Sequence, residues 1–285
     1  MKRAAFIVGI FTFALCLACL SYGQAQAAQP AAAQPPAGKR PPQAKTQAEY
    51  DAWKAASANT DPAALEKAAD DFAAKFPDSE LRILLYKNAM RSYQNANNSE
   101  KIEAMGRKVL AIDGDDPEAL NSVAEIIAAR THDTDIDKDQ RYAEGIKLAQ
   151  KALQTIDTDV TVPPGTTQQQ VDAYKASLRS RAYSSIGTIE YNQNNFAAAE
   201  GDFQKAIDAV PNDPYALDVL HLALALDKQQ KYPEALKVAN RAVDMTKENT
   251  PIGTPARHER DRLQQLTGTA PTPAPAPAPA PPPKN

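Results

Sequence analysis

The sequence predicts an all-α solenoid of helix-turn-helix units, and three observations predict it. Between residues 47 and 267 apolar side chains recur at helical spacing and almost nowhere alternate as in a strand. Residues 180–213 carry a compact pattern: Tyr183-x2-Ile186-Gly187, then Phe196-x2-Ala199-x3-Phe203-x2-Ala206, then Pro211. Related patterns can be laid on the segments before and after it, so one supersecondary unit repeats along the chain.

The first unit, 47–79, is irregular. Residues 47–58, with Trp53, read as one helix. Asp61-Pro62 is an N-cap followed by a proline favoured in a first turn. Leu65, Ala69 and Phe72 form the apolar stripe of a second helix, closed by Phe76-Pro77. The second unit, 83–116, has Tyr86-x2-Ala89-Met90-x2-Tyr93, then Ile102, Gly106 and Val109. The third, 117–157, has Leu120-x2-Val123-Ala124-x2-Ile127 and Tyr142-x2-Gly145-x3-Ala149-x2-Ala152, with an enlarged turn over about 130–138.

Pro163-Pro164-Gly165 breaks the pattern. The fourth unit, 167–213, therefore opens with an over-long helix whose extra turns, 168–178, are expected to project beyond the stack. They would act as an inter-repeat brace in preference to a private partner surface. The fifth unit, 214–249, is read with Leu217-x2-Leu220-His221-x2-Leu224 in its first helix and two extra residues in its turn. That register puts His221 at the helix crossing as a packed side chain. Its second helix is Tyr232-x2-Ala235-x3-Ala239-x2-Ala242. Residues 255–267 form a charged capping helix with Leu263 and Leu266 on one face.

The pattern at 180–213 resembles the tetratricopeptide repeat, W-x2-L-G-x2-Y…A-x3-F…P over about 34 residues. One position departs: Glu190 stands where the tyrosine of the first helix belongs, with Tyr191 one place late. The resemblance extends over most of the chain after residue 46. It implies a right-handed superhelical solenoid without catalytic machinery, whose concave face binds a protein or peptide. It also implies that the groove is lined from the first helix of each repeat. In the second unit those positions are Leu84, Lys87, Arg91, Gln94 and Asn95; in the third, Glu118, Asn121, Glu125, Ala128 and Ala129. In the fourth they are Arg181, Ser184, Thr188, Tyr191 and Asn192; in the fifth, Tyr215, Asp218, Leu222, Ala225 and Leu226. Arg91, Arg181 and Tyr191 are of the kinds that anchor interfaces. The lysine/asparagine clamp with which some members hold a terminal carboxylate is not reproduced. Phe72-x3-Phe76-Pro77-Asp78-Ser79 resembles repeat closures of bacterial cell-envelope factors, which implies an outer-membrane assembly or envelope accessory role as an alternative.

Both ends read as outside the fold. Met1-Lys2-Arg3, an apolar run over 4–20 and Ala25-Gln26-Ala27 have the order of a secretory signal peptide, residues 1–27. Cleavage near Ala27 or Ala28 predicts a periplasmic or secreted protein. An uncleaved anchor and a lipoprotein anchored at Cys19 are the alternatives. Both cysteines, Cys16 and Cys19, fall in the signal, so the remaining chain has no thiol chemistry. Residues 28–46 are rich in Ala, Pro and Gln, and 268–285 in Pro and Ala. Both are expected to be disordered or polyproline II.

Chemistry finds little footing. The histidines His132, His221 and His258 are scattered, and no catalytic or phosphate-cradling motif occurs. No cofactor is expected. Without Lys2 and Arg3 the balance is 30 basic against 35 acidic residues, which gives nucleic acid no electrostatic footing. One loop has calcium-like spacing: counted from Asp133, the acids Asp133, Asp135, Asp137, Asp139 and Glu144 fall at positions 1, 3, 5, 7 and 12. Lys138 occupies the place of the glycine, so a solvated acidic turn is the preferred reading and a calcium-modulated binder the alternative.

Overall fold

The computed structural model describes residues 38–269, and eleven α-helices make up most of them. The expected signal peptide and nearly all of the Pro/Ala-rich tail lie outside the described residues. The helices are α1 (Gln47–Ser57), α2 (Pro62–Lys75), α3 (Arg82–Asn95), α4 (Ser99–Ile112), α5 (Pro117–Arg130), α6 (Lys138–Asp159), α7 (Gln168–Asn192), α8 (Phe196–Ala209), α9 (Ala216–Lys228), α10 (Tyr232–Asp244) and α11 (Gly253–Leu266). Each packs chiefly on the next, and α5 also packs on α7. The arrangement is a solenoid of antiparallel helix pairs closed by α11.

Local chemistry fixes the helix ends. Asp61 and Asp116 cap α2 and α5 by accepting from Ala64 N and Ala119 N, each followed by a proline in the first turn. Thr167 and Gln170 form a capping box that starts α7. Within the second, fourth and fifth pairs the turn is three residues, and its middle residue has positive φ: Asn97, Asn194 and Gln230.

That common turn corrects the register of the fifth repeat. The two extra residues lie between the repeats, not inside the turn. Val219, Leu222, Ala223 and Leu226 therefore occupy the core positions of α9, and all four are buried. Ala223, not His221, stands at the crossing.

The crossings are steric exchanges of large for small. A Cβ on Gly187 would lie 3.0 Å from the ring of Phe203. In the second repeat the sizes are reversed: Met90 fills the α3 position and Gly106 the α4 position, with the Met90 sulfur 3.5 Å from where a Cβ would be.

The extension of α7 folds back on the stack instead of projecting from it. Val171, Lys175 and Leu178 are buried, and Leu178 packs with Ile156 and Val160. Part of the expected linker is also docked. Lys39 forms an isolated parallel bridge with Thr161, with Lys39 N donating to Val160 O at 2.9 Å. Lys39 and Arg40 pair with Asp113 and Glu80, respectively. The apolar Ala and Pro content of 28–46 concealed two cations with carboxylates to meet.

Candidate functional site

The inner face centres on one stripe of α7. Tyr174, Ser177, Arg181, Ser184 and Thr188 follow each other three or four residues apart and so share a helix face. α5 borders this stripe on one side and α9 on the other. Tyr174 Oη donates to Glu118 at 3.2 Å, and Arg181 holds Glu125 through two contacts of 2.6 and 2.7 Å. Toward α9, Ser177 shares a hydrogen bond with Tyr215 at 3.0 Å, and the Ser184 hydroxyl donates to Asp218. α3 joins through Arg91, bidentate on Glu118 at 2.6 Å, and through Gln94, which donates to Ser122 at 3.1 Å. These bonds link the inner sides of four helices, neighbour to neighbour, through several polar clusters.

Beneath the start of α7 the polar contacts become buried. Lys87 reaches Asp116 at 2.7 Å and Glu118 at 3.0 Å. Burial opposes ionisation of Glu118, but the charges of Lys87 and Arg91 outweigh it and hold the carboxyl down at about 2. Burial opposes the charge of Lys87 as well, but its two carboxylates more than offset it and raise the ammonium above its ordinary value. A cavity of about 350 Å³ opens beside this cluster. It is bounded by α3, the N-terminal end of α5, the loop at 160–166 and the first turns of α7.

The groove positions divide accordingly. Tyr215 and Asn95 are exposed, and Ser184, Thr188, Gln94 and Glu125 are partly exposed. Arg91 is exposed and Arg181 partly so, but both are engaged with glutamates and are not free anchors. Eight positions are buried and so corrected: Lys87, Glu118, Asn121, Ala128, Asp218, Leu222, Ala225 and Leu226. Asn121 has no exposed surface and donates its amide to Leu178 O at 3.0 Å, because the α7 extension covers it. Lys87 is buried in its ion cluster. Leu222 and Leu226 are core residues, a consequence of the two-residue shift in register. Tyr191 and Asn192 lie toward the turn edge: Tyr191 is half-buried edge-on against Phe196, and Asn192 donates to Ala128 O at 3.4 Å.

Tyr174 and the loop walls were not among the groove positions, because the repeat has no place for residues 160–178. The available signal was an aromatic residue in the extra turns of a helix too long for its repeat.

The five acids of the 133–144 loop do not converge. α6 begins at Lys138, inside the twelve-residue span, so Asp139 and Glu144 are helical. Glu144 turns to Arg107 of α4 at 2.7 Å, Asp135 accepts from His132 N, and Lys138 lies 3.4 Å from Asp133. Among the described residues no three His, Cys, Asp or Glu side chains gather as metal ligands would. In this arrangement the five acids do not form a calcium-binding ring. Also among the described residues, no helix is long and apolar enough to cross a membrane.

Comparison with known proteins agrees with this architecture. Residues 185–250, from the middle of α7 past α10, match the family model described as tetratricopeptide repeat. None of the curated proteins matches the chain. Among solved structures, the fold is similar to that of Pseudomonas aeruginosa pilF, with a TM-score of 0.53 and 16% identity over 78% of this chain and 87% of that one. BtubC from P. vanneervenii is similar at a TM-score of 0.48 and 14% identity, over 79% of this chain and 86% of its own. A protein of Thermus thermophilus described as a thermophilic TPR protein gives a TM-score of 0.46 and 11% identity, over 74% of this chain and 98% of its own. At these identities only the first likeness has weight, and it speaks for the fold.

Proposed function

We propose that this chain, a tetratricopeptide-repeat solenoid by its fold and by the match over residues 185–250, acts as a protein-interaction scaffold that holds a protein or peptide partner against the inner face of α7. The observation that carries this reading is the side-chain chemistry of that face. Tyr174 and Tyr215 are 39% and 45% exposed. Tyrosine is among the residues most enriched at the energetic centres of interfaces. The polar clusters beneath them fix their positions before a partner arrives, which lowers the entropic cost of binding.

The first 27 residues favour a site of action in the periplasm or outside the cell, and the acidic balance argues against nucleic acid as the partner. An envelope accessory role fits that location. Affinity capture from an envelope extract tests the binding reading. Tyr174→Ala with Tyr215→Ala is expected to lose the partner captured by the native chain while melting at the same temperature. Full capture by the folded double variant would overturn the reading.

A further inference from the structure

The cavity under the α7 extension has a chemistry distinct from the rest of the inner face. Ile83, Leu84, Val162, Pro163 and Val171 line it, together with the exposed Tyr174. Its charged side consists of Lys87, Arg91, Asp116 and Glu118, two cations paired with two carboxylates. An entering cation would face Lys87 and Arg91, and an entering carboxylate would face Asp116 and Glu118. A neutral apolar group meets neither penalty and covers the aliphatic walls. The volume, about 350 Å³, lies at the small end of the range for ligand pockets.

The roof of the cavity is held from both sides. Lys39 pairs with the backbone at 160–162 and with Asp113 and Asp159, and the hydroxyl of Thr166 donates to Pro163 O at 2.7 Å. The capping box at Thr167 then fixes the start of α7. These bonds hold the loop at 160–166 in place over the cavity. At its mouth, Arg91 holds Glu118 through Nε and Nη2 and also interacts with the Tyr174 hydroxyl, so the rim side chains are fixed to one another.

Resting on the inner-face reading above, we infer that this cavity is a specificity pocket. It takes one large neutral side chain, such as leucine, from an extended partner segment running along α7.

The test uses the full chain with labelled methyl groups and three blocked peptides, acetyl-Ala-Leu-Ala-amide and its counterparts with Asp or Lys in the centre. The leucine peptide is expected to shift the methyls of Leu84, Val162 and Val171 saturably, with a dissociation constant of about 1 mM or tighter. The charged peptides are expected to bind at least about tenfold more weakly. Thr166→Trp, which fills the cavity, and Tyr174→Ala, which opens its rim, should each weaken the leucine peptide while the melt stays native. Equal shifts from all three peptides, or none, would overturn the inference. So would shifts that appear only after residues 28–37 are removed, which would assign the pocket to the chain's own upstream segment. The capture experiment separates the two levels. If Thr166→Trp retains the partner while Tyr215→Ala loses it, the inner face stands and the pocket falls. If both retain it, the inner-face reading falls too.

Discussion

Asp218 sits where its own charge is disfavoured. It is buried, and its Oδ2 has no hydrogen-bond partner among the described residues. Burial pushes its carboxyl up to about 6, against the opposing effect of the Ser184 hydroxyl. The unfolded carboxyl ionises near 3.9, so the native state holds the proton over the interval between. The stabilising contribution is present below the unfolded value and is lost as pH rises through about 6. Asp218→Asn keeps an acceptor for Ser184 and is expected to raise stability at neutral pH by about 1–3 kcal/mol. Denaturant titrations at pH near 7 and near 4 check this, with the gain gone at the lower value.

His221 behaves in the opposite sense. Burial pulls its imidazole down to about 4, so the unfolded ring takes a proton first as pH falls from about 6.5. Stability is lost across that interval, and His221→Leu is expected to flatten the profile there. That His221 is a packed side chain was legible in the sequence; its position was not. It lies beside the Phe203 ring, with centroids 5.1 Å apart, two residues before the true crossing residue.

At the scale of the element, the register of α9 decides which residue is irreplaceable. Ala223 has no exposed surface and takes the place that Gly187 takes in α7. Ala223→Leu is expected to cost about 1–3 kcal/mol by overpacking, measured as a lowered denaturation midpoint. The leucine-rich run of α9 hid this register, because apolar residues two apart fit the pattern almost equally well. In α7 the pattern was sharper: Gly187, Ala199 and Phe203 admitted one phase, and the structure sets Gly187 against Phe203 as read. The α7 extension was legible as a helix from its length and capping, but its packing was not. That depended on Leu178 meeting Ile156 of α6 and Val160 of the loop that follows it. Leu178→Ala is expected to cost about 2–5 kcal/mol. Hydrogen exchange should show the loss on both α6 and the start of α7, not on α7 alone.

At the scale of the molecule, each helix pair is stable through its neighbours, so damage at a crossing spreads along the stack. Binding surfaces can change without that consequence, because interface side chains support little core. The candidate site was half legible for the same reason. The repeat register brought Arg91, Glu118, Glu125, Arg181 and Ser184 to one face, where they pair locally between neighbouring helices; Tyr215 was named in a register that the structure shifts by two residues, and it reaches the face by its bond to Ser177. The internal pairing of the arginines could not be read from the register, because the partners lie on different helices 27 and 56 residues apart. The central claim is that a partner lies on this inner face, and site-specific photo-crosslinking in the source cell tests it most directly. A photoreactive residue in place of Tyr215 is expected to yield a covalent adduct. One in place of Gln204, exposed on α8, is expected to yield none. Adducts from Gln204 with none from Tyr215 would contradict the account.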